Sequence, residues 1–287
     1  MNNRESEFKP LVFREQIRAR ERSGFTLTEL IVTLATLGIL ATLILPALAN
    51  PQPKAFQCLN NMRELALAWT LYAGDNQEVL PINSDQGADY QGSHCWVTGN
   101  MDWTTNPRNF DTKYLINDGY SQLGGYCNRN PKIFACPSAN YVSPAQRALG
   151  YDHRVRSVAM NAAVGAGNKT VGLGFSFPFV AKKVTDFHSP GPSDVWVFLD
   201  EHPDSIDDEV MYVNPAFTNG TGTFMELPGN DHDGACGISF ADSHVELHKW
   251  QTATVARRPV IYSTAQRIIA TANADLAWLA LHMPSAQ

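Results

Sequence analysis

FTLTELIVTLATLGILATLILPAL, residues 25–48, is the stretch on which the fold turns. Its 24 residues carry one formal charge, Glu29. As a helix rising about 1.5 Å per residue it covers roughly 36 Å, more than the about 30 Å of a bilayer's hydrocarbon core. A transmembrane helix over residues 25–49 is therefore expected. Gly38 lends it local flexibility, and Pro46, which lacks a backbone donor, kinks it near its far end.

On the N-terminal side, residues 1–24 hold six Lys/Arg against four Glu, a net of +2. The positive-inside rule leaves this segment in the cytoplasm and sends the rest of the chain across. That remainder holds sixteen Lys/Arg against twenty-four Asp/Glu, a net of -8, with no basic cluster to track a phosphate backbone. Nucleic acid is excluded as a partner on that ground. A chain of 287 residues, 44% hydrophobic and 17% charged, can bury one large core or two small ones.

An ordinary secretory signal would be cut after the apolar run, and Ala47-Leu48-Ala49 loosely fits such a site. The junction on the other side is more specific. Ser23-Gly24 meets Phe25-Thr26-Leu27-Thr28-Glu29, and the apolar run follows without interruption. This resembles the processing site of type IV prepilins and type II secretion pseudopilins. The resemblance implies that a prepilin peptidase cuts after Gly24 and methylates Phe25. The subunit then passes from a single-pass position in the inner membrane, through an assembly platform, into a fibre of pilin or pseudopilin subunits. Its globular domain would be periplasmic or extracellular, and the lipid bilayer a partner before assembly. A carboxylate in an apolar segment is costly unless it finds a partner. The resemblance supplies one for Glu29, the freed amino group of Phe25 on a neighbouring subunit. Snorkelling of Glu29 to headgroups or water is the alternative.

Beyond the break Asn50-Pro51-Gln52-Pro53, residues Phe56, Leu59, Met62, Ala66, Trp69 and Ala73 recur at spacings of three and four. This predicts an amphipathic helix from Lys54 to about Gly74, docked on a sheet. The organisation expected is a leader over 1–24, a transmembrane and assembly helix over 25–49, a spine helix over 50–76 and a β-rich globular domain over 77–287. The middle of the chain reads as loops and short strands, with a helical turn at Tyr114 to Ser121 and a strand at Lys132 to Pro137. Better strands are Val195 to Leu199 and Ile238 to Phe240, the latter pairing with His244 to His248 across Ala241-Asp242-Ser243. The fold class is α+β: a transmembrane helix, a proline break, then a helix packed on an antiparallel sheet with long loops.

A second resemblance lies here. His232, nine residues, then Asp242-Ser243 is similar to the H-x9-DG processing-associated motif of many prepilin-type proteins, with serine in place of glycine. Asp-Gly favours a tight turn with positive backbone angles, so Ser243 must adopt another turn or accept strain.

Two clusters have residue types suited to chemistry. Asp200, Glu201, Asp204, Asp207, Asp208 and Glu209 offer hard oxygen donors of the kind calcium prefers, although the spacing is no EF-hand loop. A solvated acidic loop is the alternative, and no other cofactor is indicated. His232, Asp242, His244 and His248 have the types for zinc or a general base. His244 and His248, four residues apart on a strand, lie about 13 Å from each other, too far to share one ion. A structural hydrogen bond between His232 and Asp242 is expected instead. No Gly-x-Ser-x-Gly, His-Glu-x-x-His or phosphate-loop motif occurs, so no enzyme is indicated. A membrane-anchored or secreted carbohydrate-binding or carbohydrate-degrading protein is the second reading, with Trp96, Trp103 and Trp250 as sugar platforms or core. The five cysteines are odd in number. Cys127 and Cys136 are the first candidates for a disulfide, with buried free thiols as the alternative.

Overall fold

The structure is a computed structural model that describes residues 26–49, 53–83, 95–165, 170–171, 175–263 and 267–286. Among the described residues, helices α1 (Leu27–Ala49), α2 (Lys54–Asp75), α3 (Lys113–Ile116) and α4 (Pro144–Ala148) precede the first of nine strands, and α5 (Ala253–Ala256) and α6 (Ala274–Leu281) flank the last. These are β1 (Val158–Asn161), β2 (Thr170–Val171), β3 (Phe175–Ser176), β4 (Trp196–Asp200), β5 (Val210–Met211), β6 (Gly222–Phe224), β7 (Ala235–Phe240), β8 (Val245–Lys249) and β9 (Ile268–Ala270). The chain falls into two compact units, one carrying α1 and the other running from Gln52 onward.

The α1 unit corrects the first expectation. Among the described residues no helix is long and apolar enough to cross a membrane. Thr28, Glu29, Thr33 and Thr36 interrupt the apolar surface of the first half of α1. The expected transmembrane helix, and the single-pass inner-membrane placement that rests on it, are not supported.

In the second unit α2 turns Cys58, Met62, Leu65, Ala66, Trp69 and Ala73 inward. Phe56, expected in that stripe, is exposed instead, since it lies on the opposite side of the first turn. The buried face of α2 packs on one face of a five-stranded sheet ordered β5-β1-β4-β7-β8. Met62, Leu65 and Trp69 meet Val158, Met160, Val197 and Phe198 there. The other face carries Trp196, Cys236, Ile238 and Phe240 against Leu276 and Leu279 of α6. With cover on both sides, β4 and β7 are buried at every residue, which is why they read as continuous apolar runs.

The sheet is mixed rather than antiparallel. β4 pairs with β1 and β7, and β7 with β8, antiparallel, whereas β5 joins β1 in parallel after a long excursion through β4. The strand expected at Lys132 to Pro137 is a 3-10 helix, Pro131–Phe134. Asn130 sets it by accepting a hydrogen bond from the backbone N–H of Lys132 at 3.2 Å, with proline at the first helical position. The expected turn of helix at Tyr114 to Ser121 shortens to α3.

The β7–β8 hairpin closes over Ala241-Asp242-Ser243, with the backbone N–H of Phe240 donating to the carbonyl of His244 at 3.0 Å. Ser243 takes φ 70°, the left-handed position at which the resembled motif carries glycine. Its hydroxyl lies 2.7 Å from that of Thr70 and ties the turn to α2. Two effects of about 1 kcal/mol therefore oppose each other, the left-handed backbone and the hydrogen bond. Ser243→Ala keeps the first and loses the second, and should cost about 1 kcal/mol in denaturant unfolding. Ser243→Gly loses both and should stay within about 0.5 kcal/mol of the parent.

Candidate functional site

The candidate processing residues Gly24 and Phe25 lie outside the described residues, and α1 begins just after them. Glu29 has a partner within the chain. The backbone N–H of Thr26 donates to its carboxylate at 2.9 Å, and the N–H of Glu29 donates to the Thr26 hydroxyl at 3.2 Å. This reciprocal pair is a capping box, which satisfies two of the free donors at the start of α1. Past it, Leu27, Leu30, Ile31, Val32, Leu34, Leu37, Ile39 and Leu40 are all about half exposed or more. Exposed apolar surface of this extent is a general mark of interaction sites.

The acidic run of residues 200–209 divides into parts with different tasks. Asp200, at the end of β4, is 1% exposed and faces α2, accepting from the Cys58 thiol at 2.9 Å and the Ser157 hydroxyl at 2.8 Å. Asp204 caps a loop, accepting from the backbone N–H of Ile261 at 2.7 Å and of Ser263 at 3.2 Å. Glu201, Asp207, Asp208 and Glu209 gather instead around the buried guanidinium of Arg156, where Glu226 joins them. The carboxylates of Asp207, Asp208 and Glu226 come within 4.8 Å of one another. Glu226 also accepts from the backbone N–H of Tyr212. Burial first, then repulsion from neighbouring carboxylates, pushes Glu201, Asp208 and Glu226 well above the ordinary carboxylate range. Such a pocket suits a hard cation. Glu226 was invisible to sequence reading because it lies on the segment after β6, outside the acidic run.

The histidine cluster does not form. Asp242 pairs with His244, 2.6 Å from its Nδ1, and His248 with Glu246 at 3.0 Å. His232 lies at the opposite end of β7 from Asp242, so the hydrogen bond expected between them is absent. His232 turns to Cys136 instead, its Nε2 3.1 Å from the sulfur. Cys58, Cys136 and His232 bring their ligand atoms within 4.8 Å of one another. Hydrogen bonding with Cys58 and His232 pushes the Cys136 thiol down and both partners up, and burial lifts the adjacent Asp231 to about 6. The expected Cys127–Cys136 disulfide is not made, and no disulfide joins any of the five cysteines.

Two of the three candidate sugar platforms are core. Trp96 and Trp250 are buried, donating from their indole nitrogens to the carbonyls of Glu209 at 3.1 Å and Gly229 at 2.8 Å. Trp103 is packed between Arg154, 4.0 Å from the ring centre, and Tyr262.

The type II secretion system core protein G of Vibrio cholerae serotype O1 (strain ATCC 39315 / El Tor Inaba N16961) is 30% identical to this chain over 159 residues, 53% of the chain and 95% of that protein. No protein-family model matches the chain. No solved structure matches it.

Removing one charge from the acidic pocket should stabilise the protein when no cation is added. Glu226→Gln keeps the acceptor for Tyr212 and is expected to gain about 1 kcal/mol at pH 7 in a chelator. A carboxyl raised on folding is penalised only where the unfolded chain is ionised. The gain should therefore vanish as pH falls to about 4, the ordinary carboxylate value. Melting temperatures of parent and variant from pH 4 to 8 check it.

Proposed function

The chain belongs to the family of the type II secretion system core protein G, and we propose on that footing that it is a pseudopilin-like structural subunit of a type II secretion system rather than an enzyme. The observation that carries this reading is α1, a helix that leaves eight large apolar side chains uncovered. Full burial of such a side chain contributes about 1.5–3 kcal/mol, so α1 gains strongly from packing against the same helix of other pseudopilin subunits. In this reading a prepilin peptidase removes residues 1–24, Phe25 becomes the methylated N-terminus, and an assembly platform adds the subunit to the fibre. Glu29 then exchanges its capping contact for the Phe25 amino group of a neighbour.

The pocket of Asp207, Asp208 and Glu226 takes calcium in the same reading, since its donors are hard oxygens and Asp207 opens to solvent. Calcium at pH 7.5 should raise the melting temperature of the parent and leave that of Glu226→Gln unchanged.

Processing is checked by intact mass and N-terminal peptide analysis, with and without a prepilin peptidase, on the parent and on Gly24→Ala. The expected mature chain begins at methylated Phe25 only when the peptidase is present and Gly24 intact. A chain that begins near Asn50, or is never cut, overturns the assembly reading. Glu29→Leu should still fold and be cut, while its incorporation into fibres falls at least tenfold.

A further inference from the structure

The thiol cluster beneath the first turns of α2 is built from four distant parts of the chain. Cys58 comes from α2, Cys136 from the segment after the 3-10 helix Pro131–Phe134, His232 from the turn before β7, and Asp200 from the end of β4. Their donor atoms converge. Cys58, Cys136 and His232 offer three ligand atoms within 4.8 Å of one another, and Oδ2 of Asp200 lies 2.9 Å from the Cys58 sulfur. Contacts of 2.9 and 3.1 Å are tight for an atom as large as sulfur. The bond lengths of a tetrahedral zinc site place its ligand atoms about 3.3 to 3.8 Å apart, so Cys58, Cys136 and His232 reach that spacing by small shifts, and Asp200 joins them from the Cys58 side.

We propose that Cys58, Cys136, His232 and Asp200 form a structural zinc site that pins α2 to the sheet. Two sulfurs, one imidazole nitrogen and one carboxylate oxygen are the ligand types that select zinc over calcium or magnesium. The supporting contacts are in place. The Ser157 hydroxyl donates to the other oxygen of Asp200 at 2.8 Å and accepts from the backbone N–H of Cys136 at 2.7 Å, so one side chain orients two ligands. Gly237 leaves the space, because a Cβ there would stand 2.9 Å from the Cys58 sulfur and 3.3 Å from Oδ2 of Asp200. Entry is open, since Cys136 lines a cleft of about 530 Å³ with Gln57, Asn61 and Lys132. Binding displaces any proton still held by the two thiols, and both sulfurs bind as thiolates.

The test uses the full chain, purified under reducing conditions and stripped with a chelator. Cobalt(II) should bind one ion per chain, with the thiolate charge-transfer band and the visible ligand-field bands of a tetrahedral site, and zinc should displace it. Cys58→Ser, Cys136→Ser, His232→Gln and Asp200→Asn should each weaken cobalt binding at least tenfold, and Cys127→Ser should not change it. X-ray absorption of the zinc-loaded parent, which needs no variant to fold, should show two sulfur and two nitrogen or oxygen neighbours. A reduced, folded parent without the thiolate–cobalt band overturns the proposal. So does a zinc environment of nitrogen and oxygen alone, or a native Cys58–Cys136 disulfide in the protein as isolated.

Discussion

The approach of α2 to the sheet depends on one missing side chain. Gly237 sits in the middle strand of the β4–β7–β8 group, directly beneath Cys58 and Met62. Any Cβ at that position would push the helix away from the end of β4. With none, the Cys58 thiol reaches the Asp200 carboxylate, and Asp200 in turn accepts from Ser157 at the start of β1. The cross-links between helix and sheet thus follow from a backbone distance. The apolar contacts further along α2, from Met62 to Trp69, then close on the sheet.

Buried charge is the second organising constraint. Burying a carboxylate without a partner is costly, and this chain does it repeatedly at one edge of the sheet. Arg156 holds the acidic pocket together but lies among more carboxylates than it can neutralise. Asp200 avoids that pocket because its side chain points to the opposite face of the sheet, a consequence of the two-residue period of the strand. Adjacent residues Asp200 and Glu201 therefore belong to different sites, one with sulfur neighbours and one with oxygen neighbours. The division of the acidic run is a property of strand geometry rather than of composition.

The same geometry explains what the sequence could and could not show. The apolar period of three and four predicts α2, and the alternation of Val245 and Leu247 with Glu246 and His248 predicts the partner of β7; both are local patterns. β5 returning to β1 in parallel is a long-range pairing with no local mark. Cys136 and Cys58 are 78 residues apart, and His232 follows Cys136 by 96, so no spacing rule would group them. Pairing His232 with Asp242 took a sequence motif for a contact, whereas six strand residues hold the two ends apart. Thr26-x-x-Glu29 carries the local signature of a capping box, a role that the expectations of an assembly contact or of snorkelling leave out. The apolar run from Phe25 to Leu48 predicts a membrane span, whereas among the described residues no helix is long and apolar enough to cross a membrane.

Under the proposed function Glu29 would serve two states. In the isolated chain its carboxylate accepts from Thr26 and closes the first turn of α1, so the charge is already stabilised by a backbone donor and by the N-terminal end of the helix dipole. A neighbour's amino group is a better partner only in a low-dielectric bundle, where the attraction between opposite charges grows and water no longer competes. In the proposed fibre the exchange would become favourable only as the apolar flanks, Leu27, Leu30, Ile31 and Leu34, were themselves covered. Burial of the apolar face and transfer of the carboxylate to a new partner would then be coupled steps. The capping box would hold the charge satisfied until a neighbouring helix came close enough to take it over.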